Sequence, residues 1–323
     1  MSNQSIGNRP FRWIVIGILL HLGYLPTAFA QYAQLQPAWS PDGQAYAFLS
    51  NEIGRYQLYR YDLETHSTRQ LSHAKEDVEE FKWSPNGNKL LYLSGGTLTV
   101  MDSDGAEPMR LMTHPTDPMF FDWHPQGRSI TYSCSTKRGE ADICLKDLFD
   151  HLDVNLTDHP APDRNFSWSP DGQWFAFGSD REGEQHLYLL NVYKQEIRSL
   201  PDLPPGPIDP VFAPDGRHLA FIADQDGLHR NFAVYTLDLK EQRLRRVSDT
   251  LGDHRPLWFP DGRSLLINTN SKGDWEFYRI HPDGSGRQKL GDGRAFSIHP
   301  DGTKVLVQSG GPGRENIRIQ ELR

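Results

Sequence analysis

The sequence contains little cysteine and no excess of positive charge. Only two of its 323 residues are cysteine, too few for a fold held together by disulfides. Its 34 Lys and Arg residues are outnumbered by 42 Asp and Glu residues, which gives a net charge of −8. Because nucleic-acid binding depends on basic surface, this balance argues against a nucleic-acid partner. The 37% content of hydrophobic residues excludes a chain that is disordered throughout.

Long hydrophobic runs are also missing, except for one stretch at the N-terminus. There, Arg9 and Arg12 precede an apolar run over residues 13–25, and small side chains follow at Ala28 and Ala30. A basic start, a short apolar segment and a small-x-small site are the features of a secretory signal peptide. The sequence therefore predicts export, with a periplasmic or secreted product.

The predicted signal peptide comprises residues 1–30, with cleavage after Ala30. The alternative is an uncleaved membrane anchor, but a spanning helix needs about 20 apolar residues, and His21 and Pro26 interrupt this run. No other stretch of the sequence is long and apolar enough to span a bilayer. We therefore expect residues 31–323 to form a single domain that does not cross the membrane after cleavage.

A motif repeated seven times organises the rest of the chain. Each copy has a proline followed by Asp, Asn or Gln and then glycine, and consecutive copies are 40 to 46 residues apart. The prolines are Pro41, Pro85, Pro125, Pro170, Pro214, Pro260 and Pro300. Two residues before each proline stands a large apolar residue, here called the anchor; the anchors are Trp39, Trp83, Trp123, Trp168, Phe212, Trp258 and Ile298. A fixed period of this length is typical of repeat architectures such as propellers.

The residues within each repeat predict four short strands and no helix. The Pro-Asp-Gly tripeptide favours a tight turn, because proline presets φ and glycine tolerates positive φ. Alternating apolar residues follow the turn, as in residues 45–49 and 174–177, and no segment has a sustained 3.6-residue period. The predicted fold is all-β, a β-propeller of four-stranded antiparallel blades. We expect seven blades; six blades with an irregular edge, or an open stack of repeats, are the alternatives.

The two ends of the chain indicate how the ring closes. The seventh copy, residues 295–323, has enough sequence for only three strands, whereas Tyr32–Gln36 precede the first repeat and are long enough for one strand. The sequence therefore predicts a propeller closed by an N-terminal strand, in which Tyr32–Gln36 complete the last blade.

The repeat resembles a known type. The segments 39–43 (Trp-Ser-Pro-Asp-Gly), 168–172 (the same five residues) and 179–183 (Ser-Asp-Arg-Glu-Gly) are similar to the TolB-type propeller repeat, which is related to the propellers of the prolyl oligopeptidase and dipeptidyl-peptidase group. The resemblance covers essentially all of residues 31–323. It implies a TolB-like periplasmic propeller. The α/β domain that precedes the propeller in TolB is expected to be missing, because only about eight residues separate Ala30 from Trp39.

Ionisable residues concentrate in the loops between blades. Those just before the innermost strand of a blade should approach the mouth of the central channel, where side chains from several blades can contact one ligand. The predicted ligand-binding residues are Glu79, Glu80, Asp163, Arg164, Asp209, His254, Arg255 and Arg294. The alternative is that these loops are polar because they are solvated and because acids cap turns. The mixed signs favour a peptide or polar ligand over a bare cation.

No cofactor and no metal site is predicted, although a divalent cation is left open. Residues 102–105 (Asp-Ser-Asp-Gly) and 224–227 (Asp-Gln-Asp-Gly) are similar to fragments of calcium loops, but neither has the glutamate and loop length that an EF-hand requires. We interpret both as turns.

The two cysteines lie in one predicted hairpin. If its loop is centred near Arg138 and Gly139, Cys134 and Cys144 stand opposite each other on adjacent strands. Facing residues have Cβ atoms about 4.5 to 5.5 Å apart, which is close enough for a disulfide after modest adjustment. We predict a Cys134–Cys144 disulfide in the exported chain; two buried thiols are the alternative.

Sequence motifs of catalysis are missing. There is no Gly-x-Ser-x-Gly, no His-Glu-x-x-His and no phosphate-binding glycine loop, and the peptidase-type propellers carry catalysis on a separate hydrolase domain. The prediction is a non-catalytic scaffold, monomeric, that binds an envelope protein or peptide. The alternative is a propeller enzyme of the lyase or lactonase type with a metal-assisted site at the channel mouth.

Overall fold

The computed structural model describes residues 34–113, 120–135, 141–150, 152–224, 232–248, 253–271, 273–310 and 315–322. The predicted signal peptide, residues 1–30, lies outside this part of the chain. None of the described residues is helical, and so none of them belongs to a helix that could cross a membrane.

The described residues form seven antiparallel sheets arranged as the blades of a propeller, six with four strands and the seventh with three. Strand order within each sheet follows the chain, so the first strand of a blade is the innermost one. The strands are, in blade 1, β1 Gln34–Trp39, β2 Ala45–Ser50, β3 Gln57–Asp62 and β4 Ser67–Gln70; in blade 2, β5 Val78–Trp83, β6 Lys89–Ser94, β7 Thr97–Asp102 and β8 Met109–Thr113; in blade 3, β9 Phe121–Trp123, β10 Ser129–Ser135, β11 Ala141–Asp147 and β12 Asp153–Asn155; in blade 4, β13 Asp163–Trp168, β14 Trp174–Ser179, β15 His186–Asn191 and β16 Glu196–Ser199; in blade 5, β17 Ile208–Phe212, β18 His218–Asp224, β19 Phe232–Asp238 and β20 Arg243–Arg246; in blade 6, β21 Asp253–Trp258, β22 Leu265–Thr269, β23 Glu276–Ile280 and β24 Gln288–Asp292; and in blade 7, β25 Arg294–Ile298, β26 Lys304–Ser309 and β27 Asn316–Glu321. The prediction of an all-β propeller with seven blades is confirmed, and the six-blade and open-stack alternatives are excluded.

The Pro-x-Gly motif forms the turn between the first and second strands of a blade. In blade 1, the Gly43 amide donates to the Ser40 carbonyl (2.9 Å), and Gly43 has a φ of +71°. The Asp42 carboxylate accepts from the Ser40 hydroxyl (2.6 Å) and from the Gln44 amide (2.9 Å). Blade 4 repeats these bonds. Each residue of the motif therefore has a local role in making the turn.

The turns of consecutive blades also contact one another. In five blades, a methyl group added to the turn glycine would lie 3.4 to 3.8 Å from the proline of the preceding blade, as between Gly87 and Pro41. We call the face that carries these turns the turn side, and the opposite face, with the connections between blades, the loop side.

The hydrophobic core lies between blades. One cluster joins Leu187 and Leu189 of blade 4 to Leu219 and Phe221 of blade 5, and each of these side chains is buried. The tryptophan anchors add a directed bond between blades. In three of the five, the indole N–H donates to the carbonyl just before the preceding anchor, with nitrogen–oxygen distances of 3.1 Å from Trp83 to Ala38, 3.3 Å from Trp123 to Lys82 and 3.1 Å from Trp258 to Val211.

The ring closes by packing of blade 7 against blade 1. The Trp39 amide donates to the Ser297 hydroxyl (3.1 Å), and the His299 ring packs edge-on against the Trp39 ring, with 4.8 Å between centroids. The N-terminal strand therefore closes the propeller, but through β1 of the first blade.

The predicted pairing of Tyr32–Gln36 with the last blade is wrong for Gln34–Gln36. Gln34 pairs with Ser50 and Leu35 with Leu49, so this stretch extends the innermost strand of blade 1. Tyr32 and Ala33 lie outside the described residues. The pairing follows from continuity, because Gln34 and Leu35 run into the strand that ends at Trp39 and β2 is long enough to pair with both.

The structure joins Cys134 and Cys144 in a disulfide between β10 and β11, with 5.8 Å between the Cα atoms. The expected facing arrangement is wrong, because Cys134 stands opposite Asp142 and Cys144 opposite Tyr132. The pairing of the two strands is centred one residue earlier than Cys134 and Cys144 would need to face each other, so the two cysteines are diagonal neighbours. The bridge thus links two strands of one blade and leaves the contacts between blades non-covalent.

Candidate functional site

The innermost strands that surround the channel share an irregularity. In blades 1, 4, 5 and 6, the register with the second strand shifts by one residue between the positions four and one before the anchor. Such a β-bulge bends the strand and redirects the side chain at that point. We call the residue three before the anchor the bulge residue.

Three bulge residues have left-handed backbone. The φ angles are +52° at Gln36, +50° at Asn165 and +51° at Asp209. This region costs a non-glycine residue roughly 1–2 kcal/mol, and such strain is often found where a binding site fixes the backbone. The same conformation at equivalent positions of three blades shows that the bulge is a repeated feature of the channel wall.

The bulge residues also connect neighbouring blades. The Gln36 side-chain amide donates to the Glu79 carbonyl of blade 2 (3.4 Å), and the Asn165 side-chain amide of blade 4 donates to the Asp209 carboxylate of blade 5. These contacts fix polar side chains around the channel. They include Asp209, one of the predicted ligand-binding residues.

Asp163 and Arg164, also predicted to bind ligand, are occupied by ion pairs within blade 4. Asp163 is fully buried, and both of its oxygens accept from the Arg181 guanidinium, at 3.0 and 3.1 Å. Arg164 donates to Asp180 at 2.7 Å. Asp180 and Arg181 follow β14, so these pairs hold the Ser-Asp-Arg loop against the innermost strand. Their role in the structure is to position this loop.

Arg181 also packs on aromatic rings. Its guanidinium carbon lies 5.0 Å from the centre of the Phe177 ring and 4.8 Å from that of Tyr188. Burial raises the pKa of Tyr188 to about 12, so its hydroxyl stays protonated. The loop is therefore held by a buried charge pair and by cation–π contacts together.

A charged group on blades 2 and 3 includes two residues that sequence reasoning missed. Glu80, which was predicted, lies 3.1 Å from the Lys82 ammonium. Asp122 lies on the innermost strand of blade 3, and burial raises the pKa of its carboxyl group. The positive charge of Lys82 opposes this shift, whereas the negative charge of Glu80 adds to it. Lys82 and Asp122 each stand directly before an anchor, where the other blades have Ala, Ser, Val or Leu. This change in the repeat was the signal that could have identified them.

The remaining predicted residues lie on blades 2, 6 and 7. The guanidinium carbon of Arg294 is 4.9 Å from the ring centres of both Trp275 and Phe296, which gives a cation held between two partly exposed aromatic rings. Glu79 is exposed on β5. His254 and Arg255 belong to β21, but their side chains lie outside the described part of the structure.

The described residues contain no group of three or more His, Cys, Asp or Glu side chains that could hold a metal ion. Because the side chain of His254 is not among them, the divalent cation that the sequence left open stays a prediction. The geometry of the described part is a channel wall with fixed charges of both signs and one aromatic-bound arginine.

Comparison with known families and proteins agrees with this geometry. Residues 94–230 match the family described as PD40, TolB beta propeller domain. An uncharacterized protein of Agrobacterium fabrum is 26% identical over 171 residues, which are 51% of this chain and 57% of that protein. The chain therefore spans little more than half the length of this relative.

Two solved structures illustrate how widely the fold is used. TolB from Acinetobacter baumannii has a TM-score of 0.58 and 19% identity, covering 81% of this chain and 63% of TolB. An oligogalacturonate lyase in complex with manganese has a TM-score of 0.75 and 15% identity, covering 89% of this chain and 88% of the lyase. At these identities the likeness concerns the fold alone, because one fold hosts unrelated activities.

Proposed function

We propose that this TolB-like β-propeller is an exported scaffold that binds a protein or peptide of the cell envelope, without catalysis, at the loop-side mouth of its channel. The observation that carries the proposal is the set of polar side chains fixed on the innermost strands. Gln36, Asn165 and Asp209 are directed by equivalent bulges, and two of them bond to the next blade.

A peptide fits this surface better than a small ion does. The innermost strands that line the channel offer carboxyl groups at Glu79, Glu80 and Asp122 and cations at Lys82 and Arg294. A polypeptide presents donors, acceptors, charges and apolar side chains within one extended segment, and so it can use all of them. Because the site side chains are already fixed by their neighbours, binding loses little conformational freedom.

Arginine and tryptophan are the residue types that most often dominate the energy of protein interfaces. Arg294 packs against Trp275 and Phe296, which holds its guanidinium partly desolvated beside two rings. We therefore expect this group to contact the partner directly.

Export is part of the proposal. The basic and apolar residues of the N-terminus support a signal peptide, and the Cys134–Cys144 disulfide supports an oxidising compartment such as the periplasm.

A second candidate is a propeller enzyme with a metal-assisted site. The likeness in fold to a lyase in complex with manganese favours it. Such a site would need side chains that the described residues do not bring together, and it would therefore have to involve residues such as His254.

The test is site-specific crosslinking in the native envelope. A photoreactive amino acid at Glu79, which is exposed on β5, should give one discrete crosslinked partner after illumination. The same amino acid at Asp261, exposed on the turn side, is the matched control and should give none. Arg294→Ala should lower affinity for the recovered partner about 30-fold, the loss expected for an interface residue worth about 2 kcal/mol.

Two results would overturn the scaffold. One is equal crosslinking from Glu79 and Asp261, which would mean that the channel mouth has no special role. The other is stoichiometric manganese in the purified chain that is lost in an Asp209→Asn or His254→Gln variant, which would favour the enzyme.

A further inference from the structure

Large apolar side chains are exposed together on blades 3 and 4. Among the described residues, Phe149, Leu152, Val154, Tyr193 and Ile197 have exposed fractions between 38% and 70%. The first three belong to β12 or to the turn before it, and the last two to β16 or to the turn before it. The described part of the chain has only three other exposed large hydrophobic residues, and these lie on other blades. A cluster of this kind on a folded surface marks an interaction site.

A groove of about 500 Å³ runs between the same two blades. Its apolar walls come from both blades: Leu145, Val154, Leu156, Leu190, Val192 and Ile197. The groove opens on the turn side, because the Pro-x-Gly turn of blade 3 contributes His124 and Gln126 to it. It is therefore separate from the channel mouth on the loop side.

The polar groups of the groove are already hydrogen-bonded. His124 has its Nε2 atom 3.3 Å from the Gly172 carbonyl and accepts from the Gln126 amide through Nδ1 (3.2 Å). The Asn155 side-chain amide donates to Asp142 (2.6 Å), and its side-chain oxygen accepts backbone amides. What the groove offers an incoming molecule is thus mainly apolar surface.

Three acids around the patch are paired with cations of the same patch. Arg128 pairs with Asp147 and Asp150, and Lys146 pairs with Asp153. The whole chain carries a net charge of −8, so two copies repel each other at most orientations. An approach through this patch brings paired acids together and so reduces that repulsion.

The exposed area is that of a standard interface. An aromatic side chain offers roughly 150–250 Å², so Phe149 and Tyr193, which are 70% and 68% exposed, together present roughly 200–350 Å². Leu152, Val154 and Ile197 add to this. A standard interface buries about 800 Å² per partner, of which about 60% is apolar. The five residues alone supply most of that apolar area.

The patch combines an exposed apolar turn with a groove. The turn that carries Phe149 lies beside the groove, because Arg128 lines the groove and its guanidinium carbon lies 5.5 Å from the Phe149 ring centre. In a two-fold dimer, the same patch must supply both the protrusion and the recess. We propose that this patch binds a second copy of the chain in a two-fold dimer, with the Phe149 turn of each copy in the groove of the other.

The dimer goes beyond the proposed envelope scaffold and does not depend on it. The patch lies on the turn side and outer edge of blades 3 and 4. The loop-side channel mouth of each copy therefore stays open in the dimer. Two open mouths would let one assembly bind two partner molecules, which raises apparent affinity for a partner that is itself repeated.

The test is the mass of the purified full chain in solution. Sedimentation equilibrium from 1 to 200 µM should give a two-chain species with a single dissociation constant. Phe149→Glu and Tyr193→Glu place a charge in the patch and should weaken association at least 100-fold. Ile53→Glu is the matched control, because Ile53 is an exposed apolar residue on blade 1, and it should leave association unchanged. Circular dichroism melting checks that each variant is folded.

A second measurement locates the contact. A photoreactive amino acid at residue 149, in an equimolar mixture of ¹⁴N- and ¹⁵N-labelled chains, should give mixed-isotope crosslinks to peptides that contain Leu190, Tyr193 or Ile197. A chain that stays monomeric at 200 µM overturns the proposal, as does a dimer that both charge variants leave intact. A monomer whose patch crosslinks a different protein in the envelope also overturns it, in favour of a heterologous partner.

Discussion

Two contacts between blades place a histidine edge-on against a tryptophan anchor, and they differ in an instructive way. At the contact between blades 3 and 4, His124 packs edge-on against Trp168 with 4.5 Å between ring centres. At the contact between blades 7 and 1, His299 packs edge-on against Trp39 at 4.8 Å. In both, the histidine stands directly before the proline of the turn, where three other blades have serine.

The difference lies in the indole N–H of the two tryptophans. Trp168 donates to the Thr131 hydroxyl at 2.9 Å, whereas the buried Trp39 N–H has no hydrogen-bond partner among the described residues. A buried donor without a partner costs about 1–3 kcal/mol. Blades 3 and 4 are consecutive in the chain, but blades 7 and 1 are brought together only when the ring closes. The Trp39 indole therefore contributes to the closing contact through ring packing, whereas the Trp168 indole contributes a hydrogen bond as well.

The largest expected loss of stability comes from replacing the glycines that face these two histidines, and it shows how tightly the histidines are packed. A Cβ atom on Gly172 would lie 2.7 Å from the His124 ring, and one on Gly43 would lie 2.3 Å from the His299 ring; both glycines also have positive φ. Gly172→Ala should lower the free energy of unfolding by about 2–4 kcal/mol, from backbone strain and overpacking together. Gly43→Ala should cause a similar loss, because its added Cβ atom would approach even closer to a His299 side chain that is only 14% exposed. Urea unfolding measures both.

The matched control is Gly54→Ala. Gly54 has a φ of +89° but nothing within 4 Å of an added Cβ atom, so it reports backbone strain alone, about 1–2 kcal/mol. Equal losses at all three glycines would show that the histidines yield freely and that these contacts are not tightly packed.

The repeat made most of the fold predictable. Blade number, turn position and strand order follow from the proline, the glycine and the anchor, which all act within about ten residues of one another. The pairing of Gln34 and Leu35 was not predictable in the same way, because both candidate partner strands, in blades 1 and 7, lie next to β1 once the ring has closed. The choice depends on continuity with the strand that ends at Trp39.

The candidate site was less predictable. Sequence reasoning placed Asp163 at the channel mouth, but the side chain is buried under Arg181, eighteen residues later in the chain. It missed Lys82 and Asp122, because it considered only the residues just before or at the start of each innermost strand, whereas these two stand directly before the anchors. A two-residue period predicts the face of a regular strand and fails where one residue is inserted.

A smaller difference in stability is expected between variants of the two tryptophans, Trp168 and Trp39. Trp168→Phe removes a donor that is bonded and leaves the Thr131 hydroxyl without it, whereas Trp39→Phe removes a donor that has no partner among the described residues. Both variants lose similar ring area, so the difference isolates the hydrogen bond. Trp168→Phe should cost about 1 kcal/mol more than Trp39→Phe in guanidinium unfolding. If Trp39→Phe were the more costly change, the closing contact would depend on its N–H and the comparison above would fail.

The smallest expected effect is a pH dependence of stability, which arises at the contact between blades 3 and 4. Burial lowers the pKa of His124 below its usual 6.5, and the bond to the Gly172 carbonyl opposes that shift only in part. The unfolded chain therefore binds a proton at this residue at a higher pH than the folded chain does. The neutral His124 imidazole makes its full contribution to the free energy of unfolding above pH 6.5. This contribution is lost as the pH falls toward the lower pKa of the folded state. His124→Gln removes this titration, so the stability difference between wild type and variant should shrink as the pH is lowered from 8 to 5. Urea midpoints at pH 8, 6.5 and 5 measure that difference; a constant difference would mean that His124 is protonated equally in the folded and unfolded chains.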